Sequence, residues 1–199
     1  MYRVAKQAIV HPVKVLADNG SGSYSGIING IKWAVDNAYA NGVRGVINMS
    51  LGGGSSPALN TAVNEAVARG LVVAVAAGNE NAANACTKSP ASASEAITTA
   101  STTKQDSASS FSNVGSCVDI WAPGTGIASV DYRSQTGYRF LDGTSMATPH
   151  VSGSAAIYLE KYPSATPAQV LQGLLRASVQ RNLYPGTTTA LLQAYNSVF

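Results

Sequence analysis

Charge is what this 199-residue sequence has least of: Asp, Glu, Lys and Arg together make up 12% of it, and the formal net charge is +3. With so little charge and 45% apolar residues, the chain is suited to a packed core and not to disorder. No basic run stands out, which argues against nucleic acid as a partner. No apolar stretch approaches the ~18 residues of a membrane span. The opening Met-Tyr-Arg-Val-Ala-Lys carries too short an apolar run for a signal peptide. Cysteine is scarce, and Cys86 and Cys117 are the two present; composition leaves one disulfide and two free thiols equally open. Glycine, in contrast, is plentiful at 19 residues, as tight turns in a compact α/β domain require. The length suits one core better than two, and no internal repeat or second domain stands out.

Taken in order, the pattern alternates strand and helix. Ile9–Leu16 reads as a short apolar strand, with Pro12 confining its first half to an edge or an irregular entry. A turn-rich loop, Asp18–Ser23, leads to a helix that Ser25 can cap, with Ile27, Ile28, Ile31, Ala34, Val35 and Ala38 at helical period and Gly42 at its end. Val43–Leu51 reads as a buried strand. Pro57 then opens a helix lined by Leu59, Ala62, Val63, Ala66 and Val67. Leu71–Ala76 is a continuous apolar strand of the kind a parallel sheet covers on both faces. Residues 80–114 read as surface loops with a strand at Ile97–Ser101, and Cys117–Ala122 as a further strand. A helix over Ser145–Tyr162 and a last one from the capping box Thr166-Pro-Ala-Gln169 complete the order. The expected fold is α/β, with a doubly wound, mostly parallel sheet flanked by helices.

In such a sheet, ligands bind beyond the carboxyl ends of the strands. Glycines cluster there: Gly20-Ser-Gly-Ser-Tyr24, Ser50-Leu-Gly-Gly-Gly54 and Ala77-Gly78-Asn79. They serve equally as tight βα turns or as edges on which an extended peptide could add a strand. Asn79 ends an apolar strand, either as a turn residue or as an amide donor at the working edge. The stretch Asp142-Gly-Thr-Ser-Met-Ala-Thr-Pro-His150 puts Ser145 at a helix start. There it serves either as a cap or as a hydroxyl at the positive end of the helix dipole. Ala147 and Pro149 set the stretch apart from the Gly-x-Ser-x-Gly elbow of α/β-hydrolases.

The nine-residue string resembles the nucleophile motif of subtilisin-like serine proteases, the subtilases. The resemblance extends along nearly the whole chain, through Val4-Ala-Lys6, Val13-Lys-Val-Leu16, Asn48-Met-Ser-Leu-Gly-Gly53, Val73-Ala-Val-Ala-Ala-Gly-Asn79, Phe111-Ser-Asn113 and Ala122-Pro-Gly124, and is strongest to the branch that includes proteinase K and aqualysin. It implies Ser145 as nucleophile and Asn79 as oxyanion donor, an effect of ~10²–10³ in rate by the magnitude known for subtilisin. It also implies that Gly20, Ser21, Gly22, Ser23 and Tyr24 on one side, and Ser50, Leu51, Gly52 and Gly53 on the other, bracket a polypeptide substrate. Ala76, Ala77 and Gly78 would wall the primary specificity pocket. Cys86 and Cys117 match positions joined by a disulfide, worth roughly 3.5–4 kcal/mol on the chain-entropy model, which implies a secreted protein. Asp119, with the carbonyls of Ser94 and Ala96, matches a structural calcium site; catalysis needs no cofactor.

The resemblance also defines a gap. A serine hydroxyl needs a base and an orienting acid. In subtilases these are an Asp at a strand end and a His in a His-Gly-Thr-His context, both upstream of the part that matches, and neither motif occurs in this sequence. His150 cannot substitute: five residues on, it is rotated about 140° and displaced about 7.5 Å along the helix. The expectation is a single catalytic domain over residues 1–199 lacking its N-terminal part, inactive alone. The missing segment of the same enzyme is an expected partner. The competing expectation is a non-catalytic remnant that binds peptides through its glycine-rich edges.

Overall fold

The computed structural model describes residues 4–184 and 190–192. Helix α1 (Tyr24–Ala40) buries Ile27 and Ile31. Its cap is Ser23, whose hydroxyl accepts from the Gly26 amide, not Ser25 as its position suggests; the Ser25 hydroxyl instead pairs with that of Ser23 at 3.1 Å. Gly42, at φ 60°, ends the helix in the left-handed turn that glycine adopts without strain. Strands β1 (Val46–Met49) and β2 (Gly53–Gly54) follow. Helix α2 (Pro57–Ala68) is capped by Ser56, has Pro57 in its first turn, and buries Leu59, Val63 and Ala66.

Strand β3 (Val72–Ala76) is buried throughout. A 3₁₀ turn at Ala85–Thr87 precedes β4 (Lys88–Ser89), and β5 (Ile97–Thr102) is again wholly buried. Then come β6 (Ile120–Pro123), β7 (Ile127–Val130) and β8 (Tyr138–Leu141). Helix α3 (Thr144–Lys161) leads to α4 (Pro167–Ala177), which starts on the expected Thr166–Gln169 capping box. Strands β9 (Val179–Gln180) and β10 (Ala190–Leu191) close the order.

The main sheet runs β1-β3-β5-β6-β10-β9. Its pairs are parallel except β10 with β9. Val73 and Val75 pack with Ile27, Leu59 and Val63 on one face. Val72 and Ala74 pack with Val151, Val170 and Leu174 on the other. Helices therefore cover both faces, so β3 reads as an unbroken apolar run.

Ile9–Leu16 is not a strand. Its backbone takes no regular structure, and Ile9 and Val10 are 83% and 65% exposed. Val15 and Leu16 alone of the run pack against the core, with Val15 lying over Gly30 of α1. The physical reason is pairing: among the described residues β1 pairs with β3 alone, and no strand lies between β1 and the run to carry a ladder. Other boundaries shift by a few residues, with Val43–Leu51 shortening to β1 and Cys117–Ala122 moving to β6. Three features had no expectation. One is the short antiparallel β2–β4 pair, Gly53 opposite Ser89 and Gly54 opposite Lys88. Another is the β7–β8 hairpin, whose seven-residue connection carries no Asn-Gly or Asp-Gly turn signal. The third is the short β9–β10 pair. No helix among the described residues is long and apolar enough to cross a membrane.

Candidate active site

Gly143 is the N-cap of α3, at φ 154° and with no side-chain capping bond, so Ser145 sits inside the first turn and is not a cap. The Ser145 hydroxyl donates to the Ser50 carbonyl at 3.3 Å, and the Ser50 hydroxyl donates to the Ser145 carbonyl at 2.8 Å. Pro149 explains the second bond. Four residues after Ser145 it has no amide hydrogen to give, so the Ser145 carbonyl is available to Ser50. The loop leaving β1 is thereby tied to the start of α3.

Asn79 follows β3. Its Oδ1 accepts from the Thr144 amide at 2.8 Å and the Thr144 hydroxyl at 3.0 Å. A backbone amide can only donate, so this pair fixes the side-chain orientation and turns Nδ2 the other way. A methyl group added to Gly143 would lie 3.6 Å from Asn79 Nδ2 and 3.6 Å from the Ser145 amide nitrogen. The two nitrogens thus stand close to the turn that carries Ser145, with Met146 Sδ 3.5 Å from the same point. Amide donors fixed in place near a nucleophile can stabilise an oxyanion that develops during acyl transfer.

Ser145 stands at the mouth of a pocket of about 140 Å³. One wall is Leu51, Gly52 and Gly53, the other Ala76, Ala77 and Gly78, with Asn79 and Thr144 beside the serine. Gly78, at φ 104°, has no room for a Cβ, which would collide with Asn113. Tyr24 reaches this edge from α1, its hydroxyl donating to the Gly54 carbonyl at 2.7 Å. The Gly20–Tyr24 loop and the Ser50–Gly54 edge therefore meet at Tyr24.

Sequence reasoning missed Glu80, Lys88, Ser89 and Ala91, which also line the pocket. Lys88 Nζ lies 3.2 Å from Glu80 Oε1, and Asn113 Nδ2 donates to Glu80 Oε2. Both carboxylate oxygens are engaged within the protein. Asn113 is fully buried, accepts from the Glu80 amide and donates to the Ala77 carbonyl, so it holds this wall in place. Its sequence signal was the Phe111-Ser-Asn113 match; the lysine carried none.

No histidine or carboxylate among the described residues hydrogen-bonds the Ser145 hydroxyl. His150 pairs through Nδ1 with the Met146 carbonyl of its own helix at 2.9 Å. Burial pushes its pKa below the usual histidine value, against a smaller opposing effect of that bond. Cys86 and Cys117 are joined as a disulfide.

Asp119 lies elsewhere, just before β6. Burial raises its pKa to about 6, partly offset by the Thr98 amide donating to Oδ2 at 2.7 Å. No group of three or more acidic, histidine or cysteine side chains able to hold a metal occurs among the described residues. A cation here would depend on Asp119 and backbone carbonyls such as those of Ser94 and Ala96. A half-buried carboxylate with one oxygen left without a hydrogen bond among the described residues fits such a ligand set.

A helix-flanked parallel sheet with a serine, an amide donor and glycine-rich edges at one end defines the class, and the sequence comparison agrees. The chain belongs to the subtilase family (peptidase S8), whose pattern matches residues 1–195. It is 53% identical over 174 residues to an extracellular serine proteinase of Thermus sp. (strain Rt41A), covering 87% of this chain and 42% of the relative. It is 51% identical over 170 residues to alkaline serine exoprotease A of Vibrio alginolyticus, covering 85% of this chain and 31% of the relative. A crystal structure of a cold-adapted subtilisin-like serine proteinase superposes with a TM-score of 0.89 at 45% identity, over 98% of this chain and 70% of that one. The chain thus spans less than half the length of these two curated relatives.

Proposed function

We infer that this chain is the nucleophile-bearing part of a secreted subtilisin-like serine endopeptidase. The observation that carries the reading is that Ser145 and Asn79 line one pocket together with the glycine-rich edges, while Thr144 holds Asn79 Oδ1 and so leaves Nδ2 facing away from Thr144. An extended substrate lies between Gly20–Tyr24 and Ser50–Gly53 and places one side chain in the pocket. Ser145 Oγ attacks the adjacent carbonyl carbon, and the two N–H groups receive the negative charge on its oxygen. The attack releases the hydroxyl proton, and the Ser50 carbonyl that holds it is no base at neutral pH. An imidazole oriented by a carboxylate must take the proton, and the upstream segment of the enzyme is the partner that supplies both.

Residues 1–199 alone are therefore expected to be inactive. Loss of the base costs about 10⁶ in turnover by the subtilisin magnitude. The extracellular relative and the disulfide support secretion. A structural calcium at Asp119, Ser94 and Ala96 would offset the burial of that carboxylate. Because Glu80 is paired with Lys88 and Asn113, the pocket favours an uncharged side chain.

The test is to fuse the ~80–100 upstream residues of a close subtilase to this chain, a length drawn from a typical one-domain size. Peptide hydrolysis that disappears on Ser145→Ala is the expected result. A folded fusion that cleaves nothing would leave the peptide-binding remnant as the better account.

A further inference from the structure

Strand β1 sends its side chains alternately to two cores. Ile47 and Met49 pack on the face covered by α1 and α2, and Val46 packs on the face covered by α3. Asn48 falls on the α3 face by the same alternation, an amide where the pattern calls for an apolar side chain. It is exposed, yet both of its polar atoms are engaged. Asn48 Oδ1 accepts from the Ser152 hydroxyl at 2.9 Å, and Nδ2 donates to the Ser50 hydroxyl at 3.0 Å. The Thr148 carbonyl is the longer alternative for the Ser152 proton, at 3.2 Å.

We propose that Asn48 is a positioning residue for the nucleophile, acting through Ser50 on the Ser145 carbonyl. The proposal rests on the reading of Ser145 as nucleophile and adds what holds it in place. The argument is a count of protons. Pro149 offers the Ser145 carbonyl no amide hydrogen, and the Ser50 hydroxyl donates to it at 2.8 Å. A serine hydroxyl has one proton to give. With that proton committed to Ser145, the Ser50 oxygen can only accept, so the group facing it must be a donor. Asn48 supplies the donor and turns its own oxygen to Ser152.

The three bonds therefore run in one direction, from α3 through β1 and back to the residue that carries the nucleophile. Ser152 lies about two helical turns after Ser145. The chain of bonds thus fastens the start of α3 to the sheet where Pro149 leaves a gap in the helix's own ladder. A carboxylate at position 48 would reverse the order. Being an acceptor only, it would take the Ser50 proton and leave the Ser145 carbonyl without a donor.

The experiment reads that carbonyl directly. Met146 is the one methionine preceded by a serine. Residues 1–199, isotope-labelled at serine carbonyl carbons and methionine nitrogens, therefore give a single carbonyl-to-amide correlation by NMR. Asn48→Asp should move this signal upfield, the direction expected when a carbonyl loses a hydrogen bond. Asn48→Ala offers the Ser50 proton no new acceptor and should move it less. Packing alone predicts the opposite order, because truncation disturbs a packed site more than an isosteric change. Ser50→Ala should move the signal at least as far as Asn48→Asp, and adding Asn48→Asp to it should move it no further. In the upstream fusion, Asn48→Ala should lower kcat on the order of tenfold and change KM by less than about twofold. A signal unmoved by Asn48→Asp, or moved just as far on top of Ser50→Ala, would overturn the proposal and spare the Ser145 reading. So would a kcat unchanged by Asn48→Ala. A folded fusion that cleaves nothing, or whose activity survives Ser145→Ala, would remove that reading and the proposal with it.

Discussion

Two apolar runs of similar length meet opposite fates. Leu71–Ala76 forms β3, every residue of which is buried, while Ile9–Leu16 lies largely exposed and without regular structure. The side chains explain part of the contrast, since His11, Pro12 and Lys14 interrupt the earlier run. Neighbours explain the rest. β3 has β1 on one side and β5 on the other, with helices over both faces. The earlier run reaches the core through Val15 and Leu16 at its end, and no strand pairs with it among the described residues. A strand is a relation between segments: apolar sequence makes a segment competent, and hydrogen-bonding partners decide whether it becomes one.

The contrast breaks most completely if the missing neighbour is supplied. In the upstream fusion, the amides of Val13–Leu16 should gain hydrogen-exchange protection as the sheet is completed, with activity rising by up to ~10⁶. Within it, Asn79→Ala should cost ~10²–10³ in turnover and leave protection unchanged. Activity restored without protection of Val13–Leu16 would detach the strand argument from the catalytic one.

Next in size is the disulfide. Replacing Cys86 and Cys117 together by Ser should lower stability by roughly 3–4 kcal/mol in denaturant titration, with little effect on Ile9–Leu16. An unchanged midpoint would show that the loop is held by other contacts.

Asp119 comes third. Burial pushes its folded pKa up to about 6, above the usual carboxylate range, so the native state binds the proton more tightly. Without calcium, the contribution of Asp119 to stability should be greatest below about pH 4 and fall as pH rises toward 6, by roughly 3 kcal/mol in total. Asp119→Asn should flatten this slope, and millimolar calcium should offset the loss at neutral pH. Thermal melts across pH 4–7 with and without calcium read both effects; a flat profile for the parent chain would contradict the burial argument.

The smallest effects test the two runs directly. Val75→Ala removes side-chain atoms from a fully buried position and should cost about 1–3 kcal/mol. Ile9→Ala, at 83% exposure, should change stability by less than about 0.5 kcal/mol. Equal costs would mean that Ile9 is packed in solution.

Much of the fold was legible because local rules and packing agree. Helices α1, α2, α3 and α4 carried apolar faces or capping residues, and β3 and β5 are continuous apolar or small-residue runs between turn signals. Ser145, Asn79 and both glycine-rich edges stood out as a pattern of residue types. Errors fell where nonlocal partners decide the outcome. Ile9–Leu16 lacks a neighbour, and Ser23 displaced Ser25 as cap because its hydroxyl is the one that reaches the Gly26 amide. Lys88 escaped notice because its relevance lies in an ion pair with a residue eight positions away, across a loop.

The sequence by itself determined the family, the alternation of strands and helices, and the absence of the His-Gly-Thr-His motif, because each is written in contiguous residues or simple periodicity. The tertiary structure alone decided how those pieces act together. It fixed the orientation of the Asn79 amide by pairing Oδ1 with Thr144, gave the Ser145 carbonyl freed by Pro149 to Ser50, and occupied both Glu80 oxygens. Hydrogen-bond direction and charge pairing are properties of atoms brought together from distant parts of the chain, and no local pattern encodes them.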